Sequence, residues 1–215
     1  MGELIDLAER RNKRRVQAGR RPPPVRAEFH YDLACPFAYL AAERVERAFD
    51  DIIWTASSTT ALRGGSPAAD AAARAGVRAA AEERAAALRL PLVWPERWPA
   101  DVPAAMRAAS FAAEQGRGAA FVLAAGRLAF CGGFDLDDPD ILAEAAAAAG
   151  VGLEDCLHAA GDRRRDGEIE ASARRLRAVG ADRLPALRIG RSLFWGEPQV
   201  GEASAAARLN AAACR

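Results

Sequence analysis

In this chain of 215 residues, chemistry centres on one cysteine, Cys35, which lies between the stretch EFHYDLA and the stretch PFAYLAAERVERAF. Phe29 and Tyr31 alternate with Glu28, His30 and Asp32, the period-two pattern of a half-buried strand. Pro36 then stands where a helix would begin, since its missing N–H costs nothing at the first helical position and its fixed φ suits that turn. A thiol at such an edge faces unpaired backbone N–H groups and the positive end of the helix dipole. That setting predicts a reactive thiolate, with a pKa lowered from about 8.5 to between roughly 3.5 and 7.5. The other reading of the segment is a buried structural cysteine that behaves as a small hydrophobe.

The remaining candidates for chemistry are weaker. Cys131, Cys156 and Cys214 are widely spaced and no C-x-x-C occurs, so a disulfide framework is not expected and a reducing, cytoplasmic compartment fits better. No metal site is expected, because the two histidines are His30 and His158, and Cys156 and His158 on a helix point to different faces. Both histidines read as incidental. G-x-S-x-G, Walker and G-x-G-x-x-G motifs are missing, which removes sequence support for serine hydrolase and nucleotide chemistry. Asp135, Asp137, Asp138 and Asp140 lack calcium-loop spacing and suit the capping of a helix after Pro139.

The elements that must position Cys35 follow from periodicity and punctuation. After the helix of residues 37–49, DIIWTAS at 51–57 reads as a second strand, and one intervening helix implies a parallel βαβ unit. A long alanine-rich helix is expected from about Pro67 to Leu90, and further helices near 101–115, 118–130, 139–149 and 152–160. This is the composition of an inserted all-helical domain over 63–165. Its stretch LPLVWPERWP carries Trp94 and Trp98, which either line a cleft facing Cys35 or pack between helices. A helix over 166–179 returns the chain to the core, strands near 185–190 and 192–195 pair across Gly190-Arg191, and a last helix spans 201–213. The α/β core thus comprises 26–62 and 166–215.

Composition bounds the partners. A formal net charge of +1 with 51% hydrophobic and 27% charged residues describes an ordinary globular protein, with no global argument for nucleic acid or a membrane. No apolar stretch reaches the roughly 18 residues of a spanning helix, and the N-terminus has no signal-peptide pattern. Residues 1–25 form a basic extension with Arg10, Arg11, Lys13, Arg14, Arg15, Arg20 and Arg21, followed by Pro22, Pro23 and Pro24. It reads as a solvated extension, or as a helix packed on the partner subunit of a homodimer, and residues 1–24 read as dispensable for folding.

CPFAYLAAERV resembles the active-site turn and first helix of the DsbA-like branch of the thioredoxin superfamily. Members of that branch carry C-P-x-C or, in the 2-hydroxychromene-2-carboxylate isomerases and kappa-class glutathione transferases, S-P-x-S. A second block, VGADRLPALRIGRSLFWGEPQV at 179–200, resembles the family's G-V-P-T-F-x-V-x-G-x-x-F-W-G-Q-D-R, with Pro185 at its cis-proline. The resemblance implies a thioredoxin-like fold with an inserted helical domain and a site in which Cys35 is catalytic. Pro36, Phe37, Tyr39, Leu184, Pro185, Trp195, Gly196 and Glu197 would bind a thiol or substrate. Ala38 replaces the second cysteine, so Cys35 would act in one-thiol exchange, the leading reading. The alternatives are binding and activation of glutathione or another small thiol for attack on an electrophilic substrate, or a binding protein that has lost turnover. After F-W-G the family's Q-D-R becomes Glu197, Pro198 and Gln199; Glu197 would have to stand in for the aspartate that holds the glutathione amino group.

Overall fold

In a computed structural model the described residues are 26–65 and 70–213. The N-terminal extension, the expected helix start at Pro67 and Cys214 lie outside them. Strand β1 (Ala27–Tyr31) runs into helix α1 (Pro36–Ala48), which returns as β2 (Ile52–Ala56), parallel to β1 with Phe29 opposite Trp54. A short helix α2 (Thr59–Arg63) follows, capped by the Ser58 hydroxyl and ended by Gly64 at φ 76°, a backbone region that a side chain disfavours. Five longer helices come next: α3 (Ala71–Leu88), α4 (Pro103–Glu114), α5 (Gly118–Phe130), α6 (Pro139–Ala149) and α7 (Leu153–Gly161). Helix α8 (Asp166–Ala178) leads to the antiparallel pair β3 (Ala186–Ile189) and β4 (Ser192–Trp195), and α9 (Val200–Ala213) closes the described chain.

The sheet order β2-β1-β3-β4, with β1 parallel to β2 and antiparallel to β3, is the thioredoxin-like arrangement that the resemblance implies. Strand β1 sits between two neighbours and is buried on both faces, not on one. Phe29 and Tyr31 are fully enclosed, but His30 and Asp32 are buried as well. Period-two patterning therefore marked an apolar face and a polar interior face. On the polar face His30 Nδ1 lies 3.3 Å from Ser57 Oγ and 3.2 Å from Ser172 Oγ on α8, while its Nε2 lies 3.3 Å from Glu28 without forming a hydrogen bond. His30 is thus a tie between β1, β2 and α8 rather than an incidental residue.

One apolar core runs through the sheet and the helical insertion. Phe29, Tyr31 and Leu40 belong to the same buried cluster as Phe121, Phe130 and Leu142. The seam is held by the Tyr39–Phe130 ring pair at 5.7 Å and by a bidentate Arg127–Glu43 ion pair across α5 and α1. Asp138 caps α6 through the N–H of Asp140, and Arg97 bridges Asp135 and Asp137, so the acidic cluster caps a helix and pins a loop. Among the described residues no helix is long and apolar enough to cross a membrane.

Candidate active site

The loop 32–35 carries the thiol from the end of β1 to the start of α1, and its conformation is fixed from both sides. Asp32 accepts the N–H of Ala34 on Oδ1 at 3.0 Å and the N–H of Thr59 on Oδ2 at 2.8 Å, which ties this loop to the start of α2. The Cys35 N–H donates to the Asp32 carbonyl at 3.0 Å. From the insertion, Trp98 Nε1 donates to the Ala34 carbonyl at 3.2 Å, and the Leu33 N–H meets Met106 Sδ at 3.3 Å. Cys35 takes an extended backbone (φ −93°, ψ 117°) and α1 begins at Pro36. Its Sγ lies 3.9 Å from the carbonyl oxygen of Leu184, and the Leu184–Pro185 peptide is cis.

A cavity of about 730 Å³ opens on this thiol. The core contributes Asp32, Cys35, Pro36 and Phe37, the α2 segment contributes Ser58, Thr59, Thr60 and Arg63, and the cis-proline loop contributes Arg183 and Leu184. The insertion closes the far side with Trp98, Pro99, Asp101 and Met106. Trp98 leans on Trp94 with ring centroids 4.5 Å apart, and the Arg78 guanidinium lies over both rings at 5.4 and 4.7 Å. Trp98 therefore lines the cleft and packs between elements at once. Leu184 is rooted in a small apolar cluster with Leu62 of α2 and Leu176 of α8, which fixes its carbonyl beside the sulfur.

The electrostatics run against the expected thiolate. Part of the Cys35 surface opens to the cavity, yet burial of the thiol, followed by the Asp32 carboxylate, pushes its pKa up to about 12. The N–H groups of Ala38 and Phe37 at the helix start pull the other way, as does Arg63, and are outweighed. Helix-end stabilisation is small, whereas loss of water disfavours the charged form strongly, and a neighbouring anion adds to the loss. Asp32 is itself raised by its burial, against the two N–H groups that favour its charge. Asp166, which also borders the cavity, is held by Arg107 through two bonds of 2.6 and 2.8 Å.

Of the residues expected at the site, the cavity brings together Cys35, Pro36, Phe37 and Leu184, with Pro185 directly behind. Tyr39 points into the seam between core and insertion, where its hydroxyl meets the Pro91 carbonyl at 3.0 Å and Cys131 Sγ at 3.1 Å. Trp195 and Gly196 are not among the cavity residues: Gly196 donates its N–H to the Pro185 carbonyl at 2.7 Å, and Trp195 lies part-exposed on β4. Glu197 is turned into the interior, its side chain fully buried between Arg44 and Arg84. Its carboxylate is enclosed and not among the cavity residues, so in this arrangement it does not face a ligand's amino group there. Polar residues that sequence reasoning did not assign include Asp32, Ser58, Thr59, Thr60 and Arg63 beside the thiol, and Asp101, Asp166, Glu170 and Arg183 around the rest of the cavity. The signals were a carboxylate three residues before the cysteine and the Ser-Thr-Thr run at the end of β2, which marks a helix cap aimed at the same opening.

A sequence profile for the DSBA-like thioredoxin domain matches residues 26–206. The chain belongs to the DSBA-like thioredoxin family. No curated protein matches the sequence significantly. Among solved structures, a 2-hydroxychromene-2-carboxylate isomerase superposes with a TM-score of 0.73 at 18% identity, over 85% of this chain and 95% of its own. A probable DsbA oxidoreductase from Streptomyces coelicolor superposes with a TM-score of 0.67 at 22% identity, over 87% of this chain and 90% of its own. At these identities the likeness is one of fold, and it includes the helical insertion in a DsbA-like frame.

Proposed function

We propose that this family member is a thiol-dependent enzyme of the isomerase or transferase kind, in which Cys35 stays neutral and donates its S–H hydrogen bond to the sulfur of a bound small thiol. The carrying observation is the Cys35 thiol on the wall of a roughly 730 Å³ cavity, in surroundings whose burial favours its neutral form. One-thiol exchange would require Cys35 to lose its proton in a setting that opposes it, and Ala38 leaves the motif without a resolving cysteine. Cys131, the other half-buried thiol, is engaged with Tyr39.

The chain's own groups suit a thiol that carries carboxylates, such as glutathione. Arg63 offers a cation on one side of the cavity, with Arg183, itself paired with Asp182, beside it; Asp101 and Glu170 offer carboxylates for an amino group, Ser58 and Thr60 offer hydroxyls, and Leu184 offers its main chain beside the sulfur. Trp98 and Met106 of the insertion, with Phe37 of the core, give the cavity an apolar face that accepts a flat, aromatic electrophile and keeps water from it. A small thiol held there would supply the nucleophilic sulfur for addition to that electrophile. Asp32 holds the Cys35 loop against the α2 segment, so both halves of the thiol site keep one geometry.

Serine and alanine at position 35 test the reading. Glutathione is titrated calorimetrically into wild type, Cys35→Ser and Cys35→Ala, with the bound thiolate followed by its ultraviolet absorbance near neutral pH. A hydrogen-bond donor at position 35 should preserve the thiolate signal in wild type and Cys35→Ser and lose it in Cys35→Ala. Thiol exchange gives the opposite pattern, activity confined to wild type with a mixed disulfide detectable by mass.

A further inference from the structure

A second concavity lies on the other side of α8 from the Cys35 cavity. It is a groove of about 760 Å³ along β2, an outer strand of the sheet among the described residues. All five β2 residues border it, including Ile53, which leaves 39% of its surface exposed. Its rim is strongly acidic. Glu46, Asp50, Asp51 and Glu168 are exposed carboxylates on that rim, Glu114 is a fifth that pairs with Arg165, and Arg175 is the cation among the lining residues. The edge of β2 also offers main-chain groups to a further extended segment.

The charge of the chain is divided to match. Of its 30 lysines and arginines and 29 aspartates and glutamates, seven and three fall in residues 1–25, so that segment carries +4 and the remainder −3. The tether is short. Ala27 is paired with Ile52, the first β2 residue and part of the groove wall, so the chain joins the sheet one strand spacing from the groove, about 4.8 Å. Arg20 and Arg21 precede Ala27 by seven and six residues, which places them within about 23 Å of it. A tether of that length keeps the basic side chains at an effective concentration on the order of millimolar at the groove.

We infer that the basic stretch Arg10–Arg21 docks in this groove of its own chain, its cations on the carboxylates of the α1–β2 loop and α8. The contact closes over the outer edge of β2 and blunts a strand that would otherwise pair with another molecule. Being carried by exposed charges, it weakens as salt rises.

Lys13 is the only lysine in the sequence, which makes zero-length carbodiimide coupling a direct test, because every side-chain amine cross-link reports the position of this stretch. In the full chain at low salt, Lys13 should form amides with Glu46, Asp50, Asp51 or Glu168 in the monomer fraction. The yield should fall several-fold in about 0.5 M NaCl, where screening is nearly complete beyond a few ångströms. It should also fall in a full-length variant with Arg14, Arg15, Arg20 and Arg21 changed to glutamine, and amide hydrogen exchange over 52–56 should rise in that variant. Coupling of Lys13 to carboxylates elsewhere, no coupling at all, or coupling confined to a dimer fraction that grows with protein concentration would overturn docking within one chain.

Discussion

Glu197→Gln separates a structural carboxylate from a ligand-binding one. The side chain is wholly buried, and Arg44 and Arg84 approach it from α1 and α3. Glutamine keeps the shape and removes the charge, leaving two guanidinium groups facing each other without an anion. Removing one member of a buried ion pair costs about 3–5 kcal/mol. Here the two arginine side chains keep 25% and 31% of their surface, so water recovers part of the loss, and Arg44 retains its 3.0 Å bond to the Glu197 carbonyl. We therefore expect a loss of about 2–3 kcal/mol. For a chain of this size that is a fall of roughly 4–12 °C in Tm. Thermal melts followed by circular dichroism, with urea unfolding as a second measure, read the change. Glutathione affinity, measured well below the transition, should be unchanged. A variant that melts within about 1 °C of wild type yet binds thiol several-fold more weakly would refute the reasoning and return Glu197 to the thiol site.

Cys35 should be alkylated slowly: with a pKa of about 12 its thiolate fraction at pH 8 is near 10⁻⁴, about a thousandfold below that of an ordinary thiol with pKa near 9. Mass spectrometry of each cysteine after iodoacetamide at graded pH checks this, and a Cys35 that outpaces Cys131 at pH 7 would contradict it. His30, whose burial lowers its pKa despite Glu28, stays neutral in the fold while the unfolded chain takes up a proton below about 6.5. Stability should thus fall as pH drops below that value, and His30→Gln should flatten this part of the urea-unfolding profile; an unchanged slope would exclude His30 as its source. Trp98→Phe keeps an aromatic wall but removes the bond to the Ala34 carbonyl, at an expected cost of about 1 kcal/mol. The same variant should raise amide exchange over 33–35, and equal exchange in both proteins would show that Trp98 does not hold the cysteine loop.

The sequence by itself determined the elements and their order. Pro36, Pro103 and Pro139 each open a helix, Asp138 caps one, and Gly64 and Gly150 end others in the left-handed region, all local effects that act within a turn of the residue concerned. The two blocks CPFAYL and LPALRIGRSLFWG were enough to bring Cys35 and Leu184 to one place, because each sits at the end of a strand in the same sheet. Tertiary structure decided what the thiol is. A helix start favours a thiolate, but how much water remains around the sulfur and where the Asp32 carboxylate lies depend on loops, α2 and an insertion far apart in sequence. The same is true of Glu197, whose position after F-W-G resembles a ligand-binding one but whose direction is set by Arg44 and Arg84, 153 and 113 residues away along the chain. Local pattern fixes where a side chain sits along the backbone. Its environment is made by segments that only the folded chain brings together.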